Sequence, residues 1–394
     1  MRVLISGAGI AGPTLAWWLL HYGMTPTIVE QAPQLRTGGY VVDFWGSGYD
    51  VADRMGLRPE IHRKGYPVRE VRVVDSNGRR LSGFPVSAFV RATHGRFTSV
   101  PRGELAAAIF AAMEGRAETI FGDSIAGIEQ TEDGVRVSFE SAAPREFDLV
   151  VGADGLHSRV RELAFGAEQH CEKFLGYKVA AYSVEGYRPR DELIYLMYTE
   201  VGQQAARFSM RDDRTMFLFT FADENPDSGD LQAKKALLRK RFGNSGWECP
   251  KILEALDQTS DFYFDRVSQI RMYPQPGWSQ GRVALIGDAA FCVSLLAGEG
   301  SGLAMTAAFV LAGELHQARG DYATAFRRYQ ERLGTFIGRK QELALRLANW
   351  FAPPSNWSIF LRNQGMKLLQ FPLLANWMVG RELVDHVELP RYDG

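Results

Sequence analysis

The chain opens on Val3-Leu4-Ile5-Ser6, a short unbroken apolar run of the kind found in a parallel strand buried on both faces. Pro13 can open a helix, where its missing N–H costs nothing, and Gly23 is a natural stop for a helix through Leu15, Trp17, Trp18 and Leu19. Thr27-Ile28-Val29-Glu30 then predicts a second strand, completing a strand–helix–strand unit from the first residue. Asn77-Gly78 between Val71–Val74 and Arg79–Leu81 predicts a hairpin, and Asp133-Gly134 between Ile125–Ile128 and Val135–Phe139 predicts another. An Ala- and Leu-rich stretch predicts a helix from Gly103 to Met113, and Leu149-Val150-Val151 a further buried strand.

From about residue 175 the texture changes. Aromatic and β-branched runs at Lys178–Val184, Leu193–Thr199, Arg207–Met210 and Met216–Phe221 predict an antiparallel sheet. Leu231–Phe242 reads as a helix, with Lys234, Lys235, Lys240 and Arg241 on its solvated face. Val283-Ala284-Leu285-Ile286 returns as a buried strand ending in Gly287-Asp288, and helices follow from about 302 to 318 and 321 to 349. The tail carries Trp357, Phe360, Leu361, Leu368, Phe371, Leu373 and Trp377, interrupted by charges and by Pro372; its longest uncharged run, 368 to 380, is too short to span a bilayer.

The chain has 394 residues, hydrophobic at 46% and charged at 23%, which excludes wholesale disorder and leaves room for more than one domain. Basic residues number 45 and acidic ones 46, so no surplus of positive charge exists to neutralise a nucleic-acid backbone. Cys171, Cys249 and Cys292 lie far apart and form neither a metal cluster nor a disulfide framework, which fits a reducing, cytoplasmic setting. Residues 3–29 lack Lys, Arg, Asp and Glu, but Gly7, Gly9, Gly12, Pro13, Gly23 and Pro26 punctuate that run, so it reads as strand–turn–helix–strand and not as a leader. The histidines show no metal-ligand spacing, and no GxSxG elbow exists.

Gly7-Ala8-Gly9-Ile10-Ala11-Gly12 follows the first strand and opens the first helix. The first glycine permits the tight turn, the second lets backbone approach a pyrophosphate, and the third lets helix and strand pack closely. The helix N-terminus, including Ala11, then meets the phosphate charge with its N–H groups and dipole. Glu30 ends the second strand at the place of a ribose-hydroxyl acceptor. This pattern predicts dinucleotide binding without separating NAD from FAD. Trp17 and Trp18 lie one turn behind the loop and read as core.

Two later segments break that tie. Ala153-Asp154-Gly155 to Arg161, and Gly287-Asp288-Ala289-Ala290 followed by Gly298-Glu299-Gly300-Ser301-Gly302, stand in order with the glycine loop. Together they resemble the fingerprints of the single-component FAD-dependent aromatic hydroxylases, the para-hydroxybenzoate hydroxylase-like family. Gly281–Ala290 and Leu311-Ala312-Gly313-Glu314-Leu315 look most like those of its tetracycline-inactivating members.

The resemblance implies an α/β fold: a Rossmann-like FAD-binding domain, an inserted mostly antiparallel substrate domain and a C-terminal helix. The expected boundaries are 1–69, 98–168 and 270–340 for the first, 70–97 and 169–269 for the second, and 341–394 for a helical segment bridging them and bordering substrate entry. It further implies noncovalent FAD, NADPH or NADH as a visiting co-substrate, and O2 of which one atom passes through a flavin hydroperoxide to an aromatic or polycyclic phenolic or enolic substrate while the other leaves as water. No nucleic acid and no membrane span are expected, and the protein is expected to be a monomer or weak homodimer. A reductase on the same fold, and a drug-binding protein without activity, are the alternatives.

Carried over by residue, Arg36 and Asp43 flank the isoalloxazine, Arg102 meets the ribityl–phosphate region and Asp154 serves FAD. Asp288 accepts ribityl hydroxyls, where the bare residues would equally allow a helix cap. Gly298, Gly300, Ser301 and Gly302 form the turn beneath the flavin. Leu295, Glu299 and Gly302 depart from the family's Pro, Gln and Asn; a carboxylate at 299 must point away, be screened or be protonated. The substrate pocket is expected to draw on Phe208, Met210, Phe219, Phe291 and Leu295, with alternation allowing only half of each strand to face it.

Overall fold

In the computed structural model, which describes residues 1–36, 38, 40–259, 261–369 and 387–392, β1 (Arg2–Ser6), α1 (Ala11–His21) and β2 (Thr25–Glu30) form the expected opening unit. Next come β3 (Val41–Trp45), α2 (Gly46–Arg54), α3 (Arg58–Lys64), the hairpin of β4 (Glu70–Val74) and β5 (Arg80–Pro85), α4 (Ser87–Ala92), β6 (Phe97–Pro101) and α5 (Arg102–Ala111). They are followed by β7 (Glu118–Phe121), the hairpin of β8 (Ile125–Gln130) and β9 (Val135–Phe139), β10 (Arg145–Phe147), β11 (Leu149–Gly152) and α6 (Arg159–Phe165). β12 (Glu172–Glu185), β13 (Ile194–Glu200), β14 (Gln203–Ser209), β15 (Arg214–Ala222), α7 (Leu231–Phe242), α8 (Cys249–Glu254) and β16 (Tyr263–Ile270) make the middle of the chain. The last elements are β17 (Ser279–Gln280), β18 (Val283–Leu285), α9 (Asp288–Phe291), α10 (Gly300–Gln317), α11 (Tyr322–Phe351) and α12 (Asn356–Leu368).

One sheet has the order β17-β18-β11-β1-β2-β7. β1 sits between β11 and β2, parallel to both, with Ile5 opposite Val151 and Ile28. Both faces of these strands are covered, which is why Val3, Leu4, Ile5, Val150 and Val151 have no exposed surface. The chain leaves β1 toward β2 on one side and returns to β11 on the other, so a crevice opens at the carboxyl end of β1. α10 packs along α1, where Trp18 meets Phe309 edge-on at 4.7 Å; Trp18 is core, as its sequence position suggests.

The second large sheet has the order β16-β12-β15-β14-β13-β4-β5. Neighbours are antiparallel except β4 against β13. Phe217, Phe219 and Phe221 of β15 turn to the face covered by α7 and α8, joining Leu238, Phe242 and Ile252 in one cluster. Phe208 pairs with Met216 across β14 and β15 and so stands on the other face. The basic run on α7 is not wholly solvated: Lys235 is buried, and its Nζ donates to the Leu256 carbonyl at 3.2 Å.

α12 lies on the same face as Phe208, over β5 and β13, where Ser82 Oγ donates to the Asn363 carbonyl at 2.7 Å. Residues 387–392 return to α10: the Tyr392 hydroxyl donates to Glu314 Oε1 at 2.9 Å, and a Cβ on Gly313 would lie 2.1 Å from the Tyr392 ring. Phe371, Leu373 and Trp377, on which much of the expected entry-bordering helix rests, lie outside the described residues. Among the described residues no helix is long and apolar enough to cross a membrane.

Candidate functional site

The crevice at the end of β1 widens into a cleft of about 810 Å³, within the ~300–1,000 Å³ common for ligand sites. Its floor is the glycine loop. Gly7 has φ +107°, and a Cβ there would lie 2.6 Å from the Ala153 carbonyl oxygen. A Cβ on Gly12 would lie 1.9 Å from the Gly7 oxygen, so Gly12 serves the packing of the turn and does not line the cleft. A Cβ on Gly9 would meet only Arg102 Nη2, at 3.7 Å. Space therefore remains above Gly9. α1 begins here without a side-chain cap, so its first N–H groups are open to an anion.

Glu30 holds the loop from the side: its Oε2 accepts the Ala8 N–H at 2.8 Å and its Oε1 the Ala32 N–H at 2.9 Å. Each oxygen keeps a second lone pair for a ligand hydroxyl. Arg36 lies 3.9 Å from Glu30 and is mostly exposed. Arg102 reaches over the loop from the start of α5. Among the described residues its guanidinium has no hydrogen-bond or ion-pair partner. Across from it Asp288 is closely surrounded by protein; that burial raises its carboxyl pKa, while the Arg102 charge pulls it down. Asp288 is not a helix cap, since Gly287 is the N-cap residue of α9 and no side chain caps that helix.

Asp154 accepts from Ser158 Oγ at 2.5 Å and from the Val160 N–H at 3.1 Å. It organises the turn into α6 and also lines the cleft, so its structural and ligand-facing readings coexist. Gly300 and Ser301, at the uncapped start of α10, close the cleft's far end, and Gly298 (φ +69°) makes the left-handed turn before them.

Asp43 and Gly302 line a smaller cavity beside this end, with Trp45, Glu299 and Leu303. Asp43 lies on β3 and accepts from Ser99 Oγ of β6 at 2.5 Å; the protein packed around it raises its pKa. Glu299 is screened: Lys340 Nζ of α11 lies 2.9 Å from its Oε1. Gly302 has room for a Cβ, whereas a Cβ on Gly48 would lie 2.2 Å from the Gly302 Cα.

The expected substrate residues line neither cavity. Two are corrected outright. Phe219 faces α7, with its ring 4.8 Å from that of Phe242, because β15 alternation sets it opposite to Met216. Phe291 is core of the first sheet, 4.9 Å from Trp278. Phe208 and Met210 cluster with Tyr66 and Met216, and Leu295 is half-buried near Val179 and Val267.

Sequence reasoning missed the residues that reach the cleft from elsewhere, above all Tyr40, His157, Arg214 and Tyr263. The Tyr40 and Tyr263 rings stand 5.8 Å apart, bringing the segment that leads into β3 against the start of β16 at the cleft. Burial pushes the Tyr40 phenol up to about 12 and Tyr263 well above its ordinary value.

His157 ties the loop after β11 to β16. Its Nε2 lies 3.4 Å from Asp265 and its Nδ1 3.0 Å from Glu168, which also binds Arg161 and Arg266. Hydrogen bonds donated to Asp265 and then to Glu168 favour the imidazolium and raise its pKa from 6.5 to about 9. The folded value exceeds the unfolded one, so this stabilisation is complete below about pH 6.5 and is lost as pH rises through about 9. Thermal unfolding of the protein is expected to show a fall in Tm across that window. His157→Gln should flatten the fall, which Tm measured against pH would reveal.

Comparison with known proteins bears on this cleft. The sequence profile described as the FAD binding domain matches residues 1–325. An uncharacterised protein of Mycobacterium tuberculosis (strain ATCC 25618 / H37Rv) is 38% identical over 354 residues, covering 86% of this chain and 92% of that protein. A flavin-dependent monooxygenase from an unknown prokaryotic organism is 33% identical over 353 residues, covering 89% of this chain and 90% of its own. A crystal structure of tetracycline destructase Tet(51) matches with a TM-score of 0.83 and 31% identity, covering 99% of each chain.

Proposed function

The chain belongs to the FAD-binding-domain family of flavin-dependent monooxygenases, and on that premise we propose that it hydroxylates an aromatic or polycyclic small molecule bearing a phenol or enol. NADPH or NADH would supply the electrons and O2 the oxygen atom. The observation that carries the reading is the Arg102 guanidinium, without a hydrogen-bond or ion-pair partner among the described residues, set over the open space at Gly9 and facing Asp288 across the cleft. Arg102, the uncapped starts of α1 and α10, and the carboxylates of Glu30, Asp154 and Asp288 around one crevice suit a pyrophosphate flanked by sugar hydroxyls.

We assign the roles accordingly. The N-terminus of α1 at Gly9 and Ala11, with Arg102, would hold the pyrophosphate. Glu30 would accept a ribose hydroxyl through its remaining lone pairs, and Asp288 the ribityl hydroxyls. Gly300 and Ser301 would turn their N–H groups to the ring system, with Asp43 and Gly302 at its edge and Arg36 near the cleft mouth. Asp154 would both hold its own turn and border the cofactor. Bound FAD supplies electron transfer from the nicotinamide and activation of oxygen. The protein's own share is to place the substrate and exclude water. Tyr40 and Tyr263, closed over the cleft with raised pKa values, remain neutral phenols and act as walls, not as bases. The first domain would comprise 1–69, 98–168 and 270–340, the second 70–97 and 169–269, and α11 with α12 would link them.

The likeness to a tetracycline destructase favours a polycyclic, enol-bearing substrate over a simple phenol. The test is NADPH consumption across a panel of tetracyclines, anthraquinones and simple phenols, with mass spectrometry of the products. Stimulation by a polycyclic member with gain of one oxygen is expected. Stimulation by simple phenols alone would narrow the pocket, and saturation of a double bond without added oxygen would favour a reductase.

A further inference from the structure

Glu299 is the N-cap residue of α10, and an N-cap carboxylate ordinarily accepts N–H groups of the first turn. Here it does not: α10 has no side-chain cap. The carboxylate is drawn instead to Lys340, at 2.9 Å, in a pair of which both side chains are about nine-tenths buried. Lys340 comes from the middle of α11 and lies over the Phe336 ring, so it is held from its own helix. Two consequences follow at the end of the cleft. The first-turn N–H groups of α10 stay open toward Gly300 and Ser301, which line it. The negative charge of Glu299, which borders the small cavity with Asp43, is cancelled.

We propose that Lys340 is a positioning residue that sets the redox balance of the bound cofactor by holding and neutralising Glu299. The inference rests on the FAD reading of the cleft. Reduction of FAD takes up two electrons and one proton and so adds one negative charge. Loss of the Lys340 charge from that end of the cleft disfavours the added negative charge, and loss of the Glu299 charge favours it. A unit charge acting through an effective dielectric of about 20, at separations on the order of 10 Å, changes such an equilibrium roughly tenfold.

The test measures the two-electron midpoint potential of FAD in the reconstituted wild type, Lys340→Met, Glu299→Gln and the double variant, together with Tm and the affinity for oxidised FAD. Lys340→Met should bind reduced FAD roughly tenfold less well relative to oxidised FAD, a potential lower by ~30 mV for a two-electron couple. Glu299→Gln should move it the opposite way, and the double variant should return close to wild type. A purely structural pair would lower Tm in the variants and leave the potential in place, which overturns the proposal. So would a double variant shifted as far as Lys340→Met. Should Lys340→Met fail to fold, the opposite shift in Glu299→Gln and its cancellation in the double variant still decide the matter. A wild-type protein that takes up no FAD would instead sink the cofactor assignment.

Discussion

Gly9→Val is expected to give a folded protein that no longer retains FAD. The two halves of that expectation have separate grounds. Folding survives because a Cβ at Gly9 meets only the far end of the Arg102 side chain, at 3.7 Å. Binding fails because the branched side chain fills the space between the uncapped start of α1 and Arg102, where the proposed cofactor's pyrophosphate would lie. Losing two charge-assisted hydrogen bonds at about 1.5–3 kcal/mol each lowers affinity by at least about a hundredfold. Gly12→Val is the contrasting control: its Cβ would lie 1.9 Å from the Gly7 oxygen, so it should damage the turn and lower Tm. Circular dichroism, Tm and FAD titration of both variants check the pair. A Gly9→Val protein carrying stoichiometric FAD would refute the placement.

Asp288→Ala should weaken FAD binding without destabilising the apoprotein. One charge-assisted hydrogen bond contributes about 1.5–3 kcal/mol, so affinity should fall roughly ten- to hundredfold. Burial raises the Asp288 pKa above its unfolded value, so its contribution to stability is greatest below the unfolded pKa and is eroded as pH rises through the folded one. Above that raised pKa the ionised group is a burden on the apoprotein that Arg102 only partly relieves. Apo Asp288→Ala should therefore melt at or above the wild-type temperature while holding FAD less well. Unchanged FAD affinity would show that Asp288 does not face the cofactor.

Much of this architecture was legible because local pattern and tertiary demand agree. β1, α1 and β2 carry an unbroken apolar run, a Pro–Gly-bounded helix and a second run, and each lies where its burial requires. α7 spans the same residues, Leu231–Phe242, in pattern and in structure. β3 escaped notice because Val41–Trp45 is only partly buried and earns its strand by pairing with β6, a partner distant in sequence. β16 escaped for the same reason, since it is fixed by β12. The cleft's floor was readable from Gly7, Gly9, Gly12 and Glu30, whereas its walls were not. Tyr263 and Arg214 arrive there only through the docking of one sheet on the other, and His157 is held there by its pairing with Asp265 of β16. The aromatic residues of β14 and β15 show the limit of alternation. It sets Phe208 and Phe219 on opposite faces, but which face is core depends on where α7 and α8 pack.

The most direct test of the account is turnover under ¹⁸O-labelled O2 with the polycyclic compound that most stimulates NADPH oxidation. The account predicts a product carrying one labelled oxygen atom, formed by FAD-loaded wild type and not by Gly9→Val. A product whose new oxygen comes from water, or one that is reduced and has gained no oxygen, would contradict it.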